Sequence, residues 1–413
     1  MSFPKQTIRD LPLHGTTVLL RADYNVPQKA DGSIADDYRI RQSLPTLQYL
    51  IERECKIVIC SHLGRPEGKP DKRFTLEPVA QHLADLIKQQ VHFIPDCVGD
   101  RVSQILKHLP AGSVSLLENL RYYPDEEANA DDFARQLAAA SGATYFIQDG
   151  FGVVHRAHAS TDAITRVLPS AAGLLLQKEY AHLVAVRDNP QRPLVAVMGG
   201  AKISDKIKVV VDFVQKADKV IIGGAMANNF LRWEGYNVGK SKVEDDIDEV
   251  IERIASLVCS DTHDHKTCLR RSDKLILPVD VTTAKTMDKD APWEHKKIED
   301  IRDNDIILDI GNATVELMKT HLEGARTVLW NGTLGYAEIP HFAHGSAWLA
   351  LWLAQHKSET NSVIGGGDTA DFALHWDKAH GESFGHISTG GGAGLELLAG
   401  KKLPGIEALM DKK

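Results

Sequence analysis

The chain has 413 residues, with 48 Lys and Arg against 56 Asp and Glu, and a formal net charge of −8. Its composition is ordinary for a globular protein, and its length suits two or three domains of about 150 residues. The mild acidity argues against general binding to nucleic acid or an anionic membrane; five cysteines without a Cys-x-x-Cys pair argue against a disulfide framework or a cysteine zinc site and favour a reducing compartment.

The first six residues lack a charged start followed by an apolar stretch, so they do not read as a signal peptide. The most membrane-like run, Ser346–Ala354, falls far short of the roughly 20 residues that span a bilayer. The expectation is a soluble, cytoplasmic protein.

Short apolar runs at Thr17–Leu20, Lys56–Cys60, Val114–Leu117 and Thr144–Ile147 predict buried strands. Amphipathic stretches at Ser43–Arg53, Leu76–Gln90 and Asp131–Ala140 predict helices between them. A helix over Ala171–Arg187 is predicted to join two halves as a stiff element. The second half repeats the pattern, with strands predicted at Leu194–Met198, Lys219–Ile222, Leu275–Leu277, Ile306–Ile310, Thr327–Trp330, Ser362–Ile364 and Phe384–Ile387. Alternating strands and helices imply an α/β fold of parallel sheets covered on both faces, with ligands beyond the carboxyl ends of the strands.

The strand exits of the first half are basic. Arg21–Pro27 follows the first strand, Ser61–Pro66 the second, Glu118–Arg121 the third, and Asp149–His158 the fourth; Arg39 lies in a polar stretch after the first. On one sheet rim, such Arg and His groups match a small phosphorylated carboxylate, whereas singly each reads as a surface ion-pair partner. His155 and His158 admit a metal pair, but no third ligand has the spacing, and a phosphate or structural role fits better.

The strand exits of the second half are glycine-rich: Gly199-Gly200-Ala201-Lys202, Gly223-Gly224-Ala225, Asn331-Gly332-Thr333, Gly365-Gly366-Gly367-Asp368-Thr369 and Thr389-Gly390-Gly391-Gly392. Glycine allows close backbone approach, and helix N-termini offer free N–H groups to phosphate. Neither a Walker P-loop nor a Gly-x-Gly-x-x-Gly fingerprint is present. Lys202 and Lys206 are predicted to share a face of the helix after the first loop, with Ile203, Ile207, Val210 and Val214 on its buried side; a solvated pair is the bland alternative. Asp368 reads either as a Mg²⁺ ligand or as a helix N-cap.

These motifs together resemble the phosphoglycerate kinase family over essentially the whole chain. The resemblance rests on Arg21–Pro27, Ser61–Pro66, Leu117–Arg121, the Phe151–Ser160 segment, Gly199–Lys206, Trp330–Gly332, Gly365–Thr369, and Ser388–Ala393 running to Gly405, in the family's order. It implies two doubly wound, Rossmann-like domains joined by a helical hinge, with a deep cleft between them. These would be a phosphoglycerate-binding domain, 1–170 completed by 395–413, the linking helix 171–187, and a nucleotide-binding domain, 188–394. It implies reversible in-line phosphoryl transfer between 1,3-bisphosphoglycerate and Mg-ADP, giving 3-phosphoglycerate and Mg-ATP, by a cytoplasmic monomer without nucleic-acid or membrane partners. Asp23, Tyr24, Asn25, Arg39, His62, Leu63, Gly64, Arg65, Arg121 and Arg156 would hold the phosphoglycerate. Gly200, Ala201, Lys206, Gly223, Gly224, Asn331, Glu338, Gly366, Gly367, Asp368 and Thr369 would serve the nucleotide, with Asp368 at Mg²⁺. Arg39, Lys202, Gly366 and Gly391 would surround the phosphoryl in flight.

The sequence departs from the family pattern at Gly150, Ala225, Ile307, Asn312 and Thr333. Ala225 and Ile307 would narrow the adenine pocket; Asn312 and Thr333 would loosen loops that proline stiffens. Two rivals are a catalytically weak nucleotide-binding protein acting through partners, and another two-domain kinase of small carboxylates.

Overall fold

A computed structural model describes residues 3–204 and 206–412. Asp205, within the Gly199–Lys206 motif, lies outside the described residues. The chain forms two compact units, Met1–Ala181 with Gly400–Lys413, and His182–Ala399. No helix among the described residues is long and apolar enough to cross a membrane.

The first unit is built on six parallel strands: β1 (Thr17–Arg21), β2 (Lys56–Cys60), β3 (Val91–Ile94), β4 (Val114–Leu117), β5 (Tyr145–Gln148) and β6 (Ser170–Ala172), in the order β3-β4-β2-β1-β5-β6. Runs such as Lys56-Ile-Val-Ile-Cys60 are apolar on both sides because both sheet faces are covered. The four basic exits follow β1, β2, β4 and β5, which are contiguous in this order, so they meet on one rim. The C-terminal segment belongs to this unit: Gln6 N donates to Met410 O at 2.7 Å, and Gly405 N to Val154 O at 2.9 Å.

The second unit carries β7 (Leu194–Met198), β8 (Lys219–Ile222) and β9 (Leu275–Ile276). It continues with β10 (Asp280–Ala284), β11 (Trp293–Lys297), β12 (Ile306–Ile310), β13 (Thr327–Asn331), β14 (Asn361–Gly365) and β15 (His386–Ile387). Six of these form a parallel sheet, β15-β14-β13-β7-β8-β9. The five glycine-rich loops follow β7, β8, β13, β14 and β15, again contiguous neighbours.

Several local expectations are corrected. Ile306–Ile310 does not join the parallel sheet; β12 pairs antiparallel with β10, which also pairs with β11, in a separate three-stranded sheet. The predicted helix over Ala171–Arg187 gives way to β6 and then a helix over Leu174–Asp188. Asp149 sets that start: its Oδ1 accepts from Leu175 N at 3.0 Å and Leu176 N at 3.3 Å, and a Cβ on Gly173 would lie 2.1 Å from the same oxygen. The helix after the first glycine loop starts at Ile207, so Lys202 and Lys206 share no helical face. The Glu244 carboxylate takes the Ile203 and Ser204 N–H groups and holds that loop out of a helix.

The cysteine expectation also changes. Cys259 and Cys268 form a disulfide, while Cys55, Cys60 and Cys97 are free and buried. The pair lies at the end of helix Asp248–Val258 and on the next helix, His265–Arg270, whose packing brings the two Cα atoms to 6.1 Å. Spacing alone carries no sign of that packing.

Candidate active site

The basic rim of the first unit is a hydrogen-bonded array. Arg39 lies in the first turn of helix Tyr38–Ile51, which begins five residues before its predicted start. Its Nη1 donates to Asp23 Oδ2 at 3.0 Å and to Asn25 O at 3.1 Å. Asp23 Oδ1 accepts from Asn25 N at 3.2 Å, and Asn25 Oδ1 from Gly64 N at 2.9 Å. Arg121 donates from Nη1 to Gly64 O at 2.6 Å, and its Nε pairs with Glu127 at 3.2 Å. The exits of β1, β2 and β4 are thus tied together. Arg156, after β5, donates to the ring of the adjacent His155, and Arg65 is exposed.

His62 is buried beside these guanidinium groups. Burial first, then Arg21, Arg121 and Arg39, holds its pKa well below the usual imidazole range, so the ring is neutral near pH 7. Burial first, then Arg21, Arg121 and Arg156, pulls His158 down to about 4. The metal reading of His155 and His158 finds no support: no group of three or more His, Cys, Asp or Glu among the described residues is placed to hold a metal ion.

Two of the proposed phosphoglycerate residues turn their side chains away. Tyr24 is 0% exposed, its phenol pairs with Ser43 at 3.0 Å, and burial pushes its pKa up. Leu63 is buried in the core, with its backbone N–H and C=O both bonded to Asn119. Asn119 was not singled out from the sequence, although its side chain also receives Arg121 N at 3.0 Å. Glu118 lies in the same motif and likewise has no role in the sequence reading; it accepts from Thr75, Leu76 and Asn119 at 2.8–2.9 Å. A carboxylate and an amide directly after a buried strand were the available signal.

The second unit holds a pocket of about 400 Å³ beyond β7, β8 and β13. It gathers Gly200, Ala201, Gly224, Glu338 and Asp368, and also Ala225, Ile307 and Thr333 from the positions that depart from the family pattern. Glycine is required where the loops cross. Gly332 has φ +104°, and a Cβ there would sit 2.0 Å from Gly199 O; Gly224 has φ +61°, and a Cβ would sit 2.7 Å from Gly200 N.

Lys206 lies behind this crossing, its Nζ donating to Gly199 O at 3.0 Å and Asn331 O at 3.3 Å. Thr369 Oγ1 accepts from Gly332 N at 2.7 Å. Asn331 is buried, with neither side-chain polar atom hydrogen-bonded, beside Gly365 and Gly366. Gly223 packs against Leu334. Asp368 is not the N-cap; Gly366 caps helix Gly367–Trp376 and leaves Asp368 exposed in its first turn. Gly391 caps the short helix Gly392–Leu398, and Lys202 lies on the loop after Gly200.

Residues 8–401 match the sequence profile of the family described as phosphoglycerate kinase. The chain belongs to the phosphoglycerate kinase family. It is 44% identical over 408 residues to the phosphoglycerate kinase of Moorella thermoacetica, covering 99% of this chain and 100% of that one. It is 42% identical over 410 residues to that of Aquifex aeolicus, covering 99% of each. The phosphoglycerate kinase structure from Coxiella burnetii superposes with a TM-score of 0.81 at 35% identity, covering 98% of each chain. The Pyrococcus horikoshii enzyme gives the same score at 30% identity. The protein is therefore a kinase with a carboxyl group as acceptor and carries phosphoglycerate kinase activity. The reading as a weak nucleotide-binding protein gains no support from these relatives.

Proposed function

We propose that the basic rim of the first unit binds the phosphoglycerate, and that the glycine-rich pocket of the second unit binds the adenine nucleotide. The observation that carries this reading is the array in which Arg39, Asp23, Asn25, Gly64 and Arg121 are linked across three strand exits. It fixes two guanidinium groups beside buried, neutral His62, a donor set suited to a carboxylate and a phosphate. Asp23, Asn25, Arg39, His62, Arg65, Arg121 and Arg156 are the side chains assigned to this substrate, with Tyr24, Leu63 and Gly64 contributing backbone only.

On the nucleotide side, Gly200, Gly224, Asn331 and the 366–369 loop take the phosphates, Lys206 neutralises them, and Glu338 serves the ribose. Asp368 is exposed at the edge of the pocket, and no group of three or more His, Cys, Asp or Glu among the described residues is placed to hold a metal ion around it. That suits Mg²⁺ brought in by the nucleotide, which keeps phosphate and water ligands, better than a resident metal in a protein cage. Bound there, Mg²⁺ supplies charge neutralisation of the phosphates.

The acceptor is a carboxylate already ionised at neutral pH, so no general base is required. Positioning and charge neutralisation carry the reaction. Arg39 and Lys202 are assigned to the charge that develops on the transferred phosphoryl group, with Gly366 and Gly391 amides as further donors. Family resemblance supports a cytoplasmic monomer working in glycolysis and gluconeogenesis.

The test is a coupled assay with 3-phosphoglycerate and Mg-ATP. Lys202→Ala is expected to lower kcat by about 100-fold or more, with 3-phosphoglycerate affinity by calorimetry nearly unchanged. Equal loss of affinity and turnover would remove Lys202 from the transition state.

A further inference from the structure

Arg21 ends β1 with its side chain buried, 1% exposed. A guanidinium has five N–H donors and no acceptor. Its Nε donates to Ser160 Oγ at 2.8 Å, its Nη1 to the Ala22 carbonyl, and its Nη2 lies 3.2 Å from His62 Nδ1. Because arginine only donates, His62 Nδ1 accepts, and the ring proton of neutral His62 sits on Nε2. The other acceptor near Nδ1, Asp23 Oδ1, is 3.9 Å away and beyond hydrogen-bond reach.

Behind Arg21 the chain continues in one direction. The Ser160 hydroxyl, having accepted from Arg21, donates to Glu126 Oε1 at 2.5 Å, and Ser160 N donates to Glu126 Oε2 at 3.0 Å. Glu126 is 0% exposed, so it meets no solvent and no substrate. Arg39, Arg121 and His158 also face His62, and a charged ring there would meet three guanidinium groups. The acid at the end of this chain is Glu126, whose Oε1 also lies 3.9 Å from His158 Nδ1.

We propose that Glu126 is a positioning residue for His62: through Ser160 and Arg21 it fixes the neutral Nε2–H tautomer, so that His62 meets phosphoglycerate as a hydrogen-bond donor and not as a cation. This rests on the assignment of His62 to phosphoglycerate made above. Glu126 also supports the turn that follows, its backbone oxygen accepting from Ala159 N at 2.8 Å, so activity alone does not separate the two roles. The tautomer does.

The experiment is two-bond ¹H–¹⁵N correlation NMR of the full chain labelled at histidine, with the His62 signals assigned from their loss in His62→Ala. The parent protein is expected to show an unprotonated Nδ1 and a protonated Nε2 from about pH 6 to 8. Glu126→Gln and Ser160→Ala are expected to give tautomer averaging and a KM for 3-phosphoglycerate raised roughly five- to tenfold, with the KM for Mg-ATP within about twofold. Ser160→Ala keeps both buried charges, so it carries the test if Glu126→Gln fails to fold. A protonated Nδ1 or an imidazolium in the parent overturns the proposal. So does an unchanged His62 spectrum in the variants, or a changed spectrum with an unchanged KM. An unaltered phosphoglycerate KM in His62→Ala would instead sink the assignment of His62 to the substrate, whatever its tautomer.

Discussion

The carboxylate of Asp280 caps a helix that starts more than thirty residues later at Asn312: its Oδ1 accepts from Thr314 N at 2.7 Å and its Oδ2 from Ala313 N at 2.9 Å. Gly311, at the N-cap, has no side chain to do this, and a Cβ there would sit 2.3 Å from the Asp280 carboxylate. The loop that lacks the family's proline at position 312 is therefore held from β10 and is not loosened. Asp280→Ala is expected to cost about 1–3 kcal/mol, read as a lower urea midpoint, because two helix N–H groups lose their acceptor. Asn312→Pro is expected to be neutral or slightly stabilising, since a first-turn proline gives up no helical hydrogen bond.

Ile307 lines the pocket of the second unit, and its N–H is fixed to Ser241 Oγ at 2.8 Å. The cavity is nevertheless about 400 Å³, within the range of small-molecule sites. Ile307 thus supplies apolar wall without closing the pocket. Ile307→Gly is expected to raise the KM for Mg-ATP about three- to tenfold through lost apolar burial, with the KM for 3-phosphoglycerate unchanged. A lower KM for Mg-ATP would mean that the side chain obstructs the base.

Gly332 and Gly324 make a matched pair. Both have positive φ, +104° and +74°, but a Cβ on Gly332 meets backbone at 2.0 Å, whereas one on Gly324 meets nothing within 4 Å. Gly324→Ala is expected to cost only the left-handed backbone penalty, about 1 kcal/mol, with nucleotide binding intact. Gly332→Ala forces the 199–200 and 332–333 loops apart and is expected to weaken Mg-ATP binding at least about tenfold by calorimetry. Equal behaviour of the two variants would show that the loop crossing does not shape the nucleotide site.

These residues also mark what sequence alone makes legible. Strands such as Leu194–Met198 were readable because a parallel strand buried on both faces needs an unbroken apolar run. The two rims were readable because their chemistry sits directly after such runs. β11, Trp293-Glu-His-Lys-Lys297, was not, because four of its five residues are exposed and only pairing with β10 makes it a strand. The start of the helix at Ile207 was hidden because Glu244, about forty residues away, decides it. The family resemblance places Tyr24 at the substrate together with Asp23 and Asn25, yet the Ser43 hydroxyl beneath draws its phenol inward. The Glu126–Ser160–Arg21 chain spans the sequence from β1 to the segment after β5 and has no local pattern at all.

Buried carboxyl groups give the fold a defined pH response. Asp149 in the first unit and Asp309 in the second are raised by burial to about 7. In the unfolded chain such groups titrate near 4. Between about pH 4 and 7 the folded state therefore holds more protons than the unfolded one, and stability falls as pH rises across that window. Asp305 runs the other way. Burial would raise it, but ion pairs with Lys285 and Lys296 at 2.5 and 2.8 Å prevail and bring it to about 2. Its contribution is present above about pH 4 and is lost as pH falls toward 2. Asp309 accepts from backbone N–H groups: Ile310 at 2.8 Å and Gly345 at 3.1 Å, on separate oxygens, and His344. An Asn oxygen can keep one of these bonds. Urea unfolding of the parent is expected to show lower stability at pH 7.5 than at pH 5, and Asp309→Asn to shrink that difference by roughly 1–3 kcal/mol. A variant with the parent's pH slope would show that Asp309 is already ionised in the folded state at pH 5, and the slope would then come from Asp149 and from Glu234, which burial also raises to about 7.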